Sequence, residues 1–144
     1  MKMPQIYSSP LCGIAAALIE PYYDNTEERI IMPFINAKFS TTVTPDKEYE
    51  LKAALGEAIT LLGKSERYLM VEIEDNRRLY FGGENDKPIA FFDVSLLHSA
   101  PRAAYEKLTE RLCGIAEEYM GIDGDHVYVK FEETENWGYN SFMF

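Results

Sequence analysis

The chain runs through one pattern twice, and that repetition constrains its fold more than any other feature. In the first pass Pro33 to Ser40 reads as a strand. Thr44-Pro45-Asp46 then starts a helix, with Thr44 as N-cap and Pro45 at the first helical position, where a missing N–H costs nothing. Leu51, Leu55, Ile59 and Leu62 recur at helical spacing, and Gly63 ends the run. Tyr68 to Glu74 follows as a strand in which Val71 and Ile73 alternate with Glu72 and Glu74. Arg78 to Phe81 reads as a short extra strand before the Gly82-Gly83 turn. In the second pass Ile89 to Leu97 is a strand and Pro101 to Met120 a helix, with Leu108, Leu112, Ile115 and Tyr119 on one stripe. Gly121 closes that helix, and His126 to Glu133 is the last strand.

Strand, crossover helix, strand implies parallel pairing inside each half. Two such halves predict an α/β fold: a duplicated β-α-β unit, with a four-stranded sheet and both helices on one face. The other face would then be bare. In Ile89 to Leu97, Phe92, Val94 and Leu96 occupy one alternation while Phe91 and Leu97 occupy the other. This predicts burial of the second face too, most simply by oligomerisation.

Charge and cysteines exclude several classes. A net charge of -10 opposes nucleic acid or an anionic membrane as the main partner. A small anionic substrate stays open, because one local Lys outweighs a distant negative surface. Cys12 and Cys113 match no metal or redox spacing and read as free thiols of a cytoplasmic protein. No run reaches the roughly 18 apolar residues that span a membrane. Leu11 to Ile19 is apolar, but cleavage before Pro33 would place Ile30 and Met32 where a signal peptidase wants small residues.

Residues 1–31 hold Pro4, Pro10 and Pro21, a short Ala-rich stretch and no sustained periodicity. They read as an extension, disordered or outside the native protein, ahead of a domain over 33–144.

The segment from Met32 onward resembles the macrophage migration inhibitory factor and D-dopachrome tautomerase branch of the tautomerase superfamily. The resemblance is carried by Met32-Pro33-Phe34-Ile35, Leu62-Gly63-Lys64, Phe81-Gly82-Gly83 and Ser95-Leu96-Leu97-His98-Ser99. Leu112-Cys113-Gly114, Asp125-His126-Val127-Tyr128-Val129 and Trp137-Gly138-Tyr139-Asn140-Ser141-Phe142 complete it. It implies a homotrimer whose sheets form a central barrel, with sites between neighbouring subunits. It implies keto-enol tautomerisation of phenylpyruvate-like aromatic α-keto acids and no metal or organic cofactor. The Cys-x-x-Cys of the animal relatives is replaced by Ile89-Ala90-Phe91-Phe92, so their thiol-oxidoreductase activity is not carried over.

The chemistry needs a base of near-neutral pKa beside the substrate carbon. A chain-terminal proline supplies one: an α-amino group titrates at about 7.7–8.0, and burial lowers it further. By resemblance Pro33 is that base. Inside a chain the same residue is a tertiary amide with no lone pair to use, and an ordinary proline at a strand start. Three routes therefore stand open. Residues 1–31 are upstream sequence that is not translated, or they are present and Pro33 is blocked, or a protease exposes Pro33. A blocked Pro33 would leave a catalytically silent trimeric binding or interaction protein.

The remaining roles are implied by the resemblance. Lys64 holds the substrate carboxylate, although a Lys there can also just complement the helix dipole. Tyr128 closes the pocket of the adjoining subunit, or packs at a trimer contact. Lys130 stands where the cytokine relatives carry asparagine. It is either a second cation for a dianionic substrate or a solvated partner of Glu132. Ser99 and Ala100 contribute main-chain groups and a small apolar wall. Phe34, Trp137, Tyr139 and Phe142 supply aromatic walls, with the pocket aromatic either Trp137 or Tyr139. His98 reads as a structural residue at a strand end.

Overall fold

The computed structural model describes residues 32–63 and 65–144. The extension over 1–31 and Lys64 lie outside the described residues. Strand β1 is Phe34–Phe39, helix α1 is Pro45–Ala58 and strand β2 is Met70–Glu74. Strand β3 is Ala90–Leu97, helix α2 is Arg102–Met120 and strand β4 is Val127–Thr134. A hairpin of β5 (Gly138–Tyr139) and β6 (Phe142–Met143) ends the chain. The sheet order is β2-β1-β3-β4. Both β1–β2 and β3–β4 are parallel and the central β1–β3 pair is antiparallel, so the sheet consists of two β-α-β halves joined at its middle.

The local signals act as the sequence predicts. The Thr44 hydroxyl accepts from the Lys47 N–H at 3.3 Å, and Pro45 begins the helix. After Ala58 the chain tightens into a 3-10 turn over Ile59–Leu62, and Gly63 stops it in the left-handed region at φ 83°. Gly121 does the same for α2 at φ 67°. Both helices lie on one face of the sheet. Leu51, Leu55, Leu108, Leu112 and Ile115 pack there against Ile35, Ala37, Phe39, Phe92, Val94 and Leu96. Each fully buried Leu, Ile, Val or Phe side chain among them contributes about 1.5–3 kcal/mol. Phe39 and Phe92 meet edge to face, with ring centres 5.9 Å apart.

Two expectations are corrected. Tyr68 and Leu69 are not strand: Glu66–Tyr68 is a 3-10 turn, with the Ser65 hydroxyl accepting from the Arg67 N–H at 3.2 Å. Arg78 to Phe81 forms no strand, only a bridge between Phe81 and Glu84. The second sheet face carries polar as well as apolar residues. Strand register sets three rows across it: Met70–Phe34–Ser95–Glu132, Glu72–Asn36–Asp93–Lys130 and Glu74–Lys38–Phe91–Tyr128. Asp93 and Ser95 share an alternation with Phe91 and Leu97, so a polar band crosses the face.

Candidate functional site

The start of β1 forms one wall of a cavity of about 1060 Å³. Pro33 is buried there, and its carbonyl accepts from the Met70 N–H at 3.1 Å, which fixes it between β1 and β2. Phe34, Tyr68, Trp137 and Tyr139 supply aromatic surface, and Ser95 stands opposite Phe34 across the β1–β3 pair. Tyr139 comes from β5 and meets the Tyr68 ring edge to face at 5.6 Å. Trp137 and Tyr139 both line the cavity. Phe142 is exposed and lies outside this cavity.

The other sequence-derived residues lie elsewhere on this chain. Tyr128 and Lys130 face the sheet's second side, in rows beyond the one that holds Phe34 and Ser95. The Tyr128 ring packs on Phe81 at 5.4 Å. Lys130 Nζ lies 3.5 Å from Asp93 Oδ2 and 3.7 Å from Glu132 Oε1, the pairing that its solvated reading anticipates. Ser99 is exposed, and Ala100 lines a second cavity with Tyr105 and Phe131. The Ala100 N–H donates to Tyr105 Oη at 3.1 Å, so it is already engaged. His98 adopts a left-handed φ of 67°, and its Nδ1 lies 3.0 Å from Glu135 Oε1. Its own N–H donates to the Thr134 carbonyl, which ties β3 to the end of β4.

Several cavity residues escaped the sequence, Tyr68, Ser95 and Arg67 among them. Ser95 opens the Ser95-Leu96-Leu97-His98-Ser99 motif, but only strand register places it at the cavity. Arg67 lines the cavity from the turn after Lys64, and its guanidinium lies 5.4 Å over the Tyr68 ring. An Arg three residues beyond Lys64 was the available signal.

Acidic groups near the sheet are held by partners. Asn36 Nδ2 donates to Glu72 Oε1 at 2.7 Å and to Glu74 Oε2 at 2.8 Å. With Arg77 and Lys38 also donating, the Asn36 bond leads in lowering the Glu74 carboxyl to about 2. Burial, reinforced by the hydrogen bond to Glu133, pushes the Tyr105 phenol up to about 12. Among the described residues no three His, Cys, Asp or Glu side chains converge as metal ligands. No described helix is long and apolar enough to cross a membrane.

The profile of the macrophage migration inhibitory factor (MIF) family matches residues 32–142. The chain belongs to the MIF family. Several solved MIF structures share its fold. MIF2 of Leishmania major is 26% identical with a TM-score of 0.73, over 78% of this chain and 97% of that one. The MIF homologue of Prochlorococcus marinus is 28% identical with a TM-score of 0.70, over 77% of this chain and 98% of that one. The MIF-like protein of Entamoeba histolytica is 26% identical with a TM-score of 0.70, over 78% of this chain and 99% of that one. No curated protein matches the chain significantly. The MIF match begins at Met32, so Pro33 is the second residue of the family segment.

Proposed function

We propose that the domain over 33–144 is a cofactor-independent keto-enol tautomerase of phenylpyruvate-like aromatic α-keto acids. It works in the cytoplasm as a homotrimer, with neither nucleic acid nor membrane as partner. The observation that carries this reading is the position of Pro33. It immediately precedes β1 at the wall of an aromatic-lined cavity, in a chain whose family segment starts one residue earlier. In the active form the chain begins at Pro33, and the secondary amine is free.

The free amine takes a proton from the carbon next to the keto group. The C–H electron pair becomes the carbon–carbon double bond of the enol, and the keto oxygen takes a proton from water. The amine then returns its proton to solvent. A buried amine has its charged form disfavoured, so it stays unprotonated at neutral pH. Lys64 holds the substrate carboxylate, and the walls at Phe34 and Tyr139 receive the ring. Tyr128, Lys130, Ser99 and Ala100 are placed away from this cavity on their own chain. In the trimer Tyr128 and Lys130 enter the pocket of the adjoining subunit.

The test compares the full chain, a chain beginning at Pro33 and its Pro33→Gly variant, by absorbance of the phenylpyruvate enol. The chain beginning at Pro33 turns over substrate. Pro33→Gly loses about 10²–10⁴-fold, the range of a positioned general base, and the full chain matches that loss. Equal rates for all three would refute the proline mechanism and leave the binding or interaction role.

A further inference from the structure

We propose that Arg67 is a second anion-binding group of the Pro33 cavity, and that the site takes aromatic α-keto acids whose ring carries a further carboxylate. This rests on the tautomerase reading and narrows its substrate class.

Among the described residues the cavity is lined by a single cation, Arg67, and by two acids, Glu132 and Glu133. Glu132 has Lys130 at 3.7 Å. Glu133 accepts from Tyr105 Oη at 2.5 Å, toward α2. Arg67 makes no ion pair among the described residues and rests over the Tyr68 ring. Glu132 is thus paired, Glu133 keeps its charge because the phenol that donates to it is neutral, and Arg67 has no ion-pair partner among the described residues.

The local turn keeps it so. Glu66, the neighbouring acid, is laid over α1 at Gly56. A Cβ at position 56 would come within 2.5 Å of Glu66 Oε2, so the missing side chain makes the room. The turn itself is fixed at both ends. Ser65 Oγ accepts from the Arg67 N–H, and the Leu69 N–H donates to the Glu66 carbonyl at 3.0 Å. The next residue, Met70, bonds to Pro33. The turn that carries Arg67 is thus tied through Met70 to the proposed base, while the adjacent Glu66 is laid over α1.

A guanidinium presents a planar fork of donors that matches a carboxylate with two parallel hydrogen bonds. Lys130, the other candidate for a second cation, is engaged by Asp93 and Glu132 on its own chain. If Lys64 receives the keto-acid carboxylate, Arg67 is left for an acidic group on the ring.

The test is calorimetric titration of the full chain and of a chain beginning at Pro33 with phenylpyruvate and 4-carboxyphenylpyruvate. Arg67→Gln and Arg67→Lys are titrated alongside. Arg67 is exposed, so both variants should fold. The expected result is about tenfold tighter binding of the dicarboxylate, a preference reduced to about onefold by Arg67→Gln and partly kept by Arg67→Lys. Added salt weakens it. A native protein with no preference, or an Arg67→Gln variant that weakens both acids equally, overturns the proposal. Failure of both acids to bind overturns it together with the tautomerase reading. The expected selectivity without turnover supports Arg67 and sinks the proline mechanism alone.

Discussion

Gly56 and Glu66 allow a quantitative check on how the 65–68 turn is held. A glycine inside a helix is about 0.5–1 kcal/mol worse than alanine, so propensity alone makes Gly56→Ala stabilising by that amount. The contacts oppose it. The new Cβ would stand 2.5 Å from Glu66 Oε2, 2.8 Å from its Cδ and 3.0 Å from Oε1. The carboxylate must leave its seat, and an off-rotamer side chain costs of order 0.5–1.5 kcal/mol. The two effects roughly cancel, so Gly56→Ala is neutral to slightly destabilising in the native sequence. In a Glu66→Ala background the obstacle is gone, and Gly56→Ala stabilises by its full ~0.5–1 kcal/mol. The assay is urea denaturation of all four proteins in a double-mutant cycle. The expected interaction energy is about 0.5–1.5 kcal/mol. Additivity within about 0.3 kcal/mol would show that the carboxylate is not seated on the helix, and would remove the explanation for the unanswered charge of Arg67.

Gly63 offers a contrasting case. Nothing lies within 4 Å of a Cβ there, but its φ is +83°, so Gly63→Ala costs about 1–2 kcal/mol through backbone strain alone. Gly63→Asn costs less in the same denaturation assay, and an Asn penalty equal to the Ala penalty would point to a steric cause instead. Glu74 governs the acid arm of stability. Its carboxyl falls from 4.5 to about 2 on folding, so its contribution is complete above about pH 4.5 and is lost as pH falls toward 2. Glu74→Gln flattens stability against pH across that window, and an unchanged acid slope in the variant would contradict the hydrogen-bond assignment.

Features whose cause is local were legible in the sequence. The Thr44-Pro45 start, the two glycine stops and the alternation of Val71 and Ile73 against Glu72 and Glu74 all fixed elements that the structure contains. Tyr68 and Leu69 continue an apolar run, yet Ser65 caps a turn there and takes them out of the strand. The strand expected over Arg78 to Phe81 found no partner beyond the single bridge to Glu84. The cavity was legible only in part. Pro33, Phe34, Trp137 and Tyr139 carry a recognisable motif. Ser95 reaches the cavity by pairing across β1–β3, and Arg67 by the turn that Ser65 caps, so each needed the fold first. Ser99 and Ala100 lie past the end of β3 and do not line this cavity on their own chain.

The duplicated sheet also bears on rearrangements of the gene. Each half closes on its own helix, and the halves meet at a single antiparallel seam. Opening the chain in the loop between β2 and β3, as in a circular permutation, would keep every strand pairing described above. An amine, by contrast, exists at only one backbone position. Permutants, fusions and amino-terminal tags should therefore preserve the architecture while converting Pro33 to an amide, so a well-folded but inactive tagged protein would say nothing against the proposed chemistry.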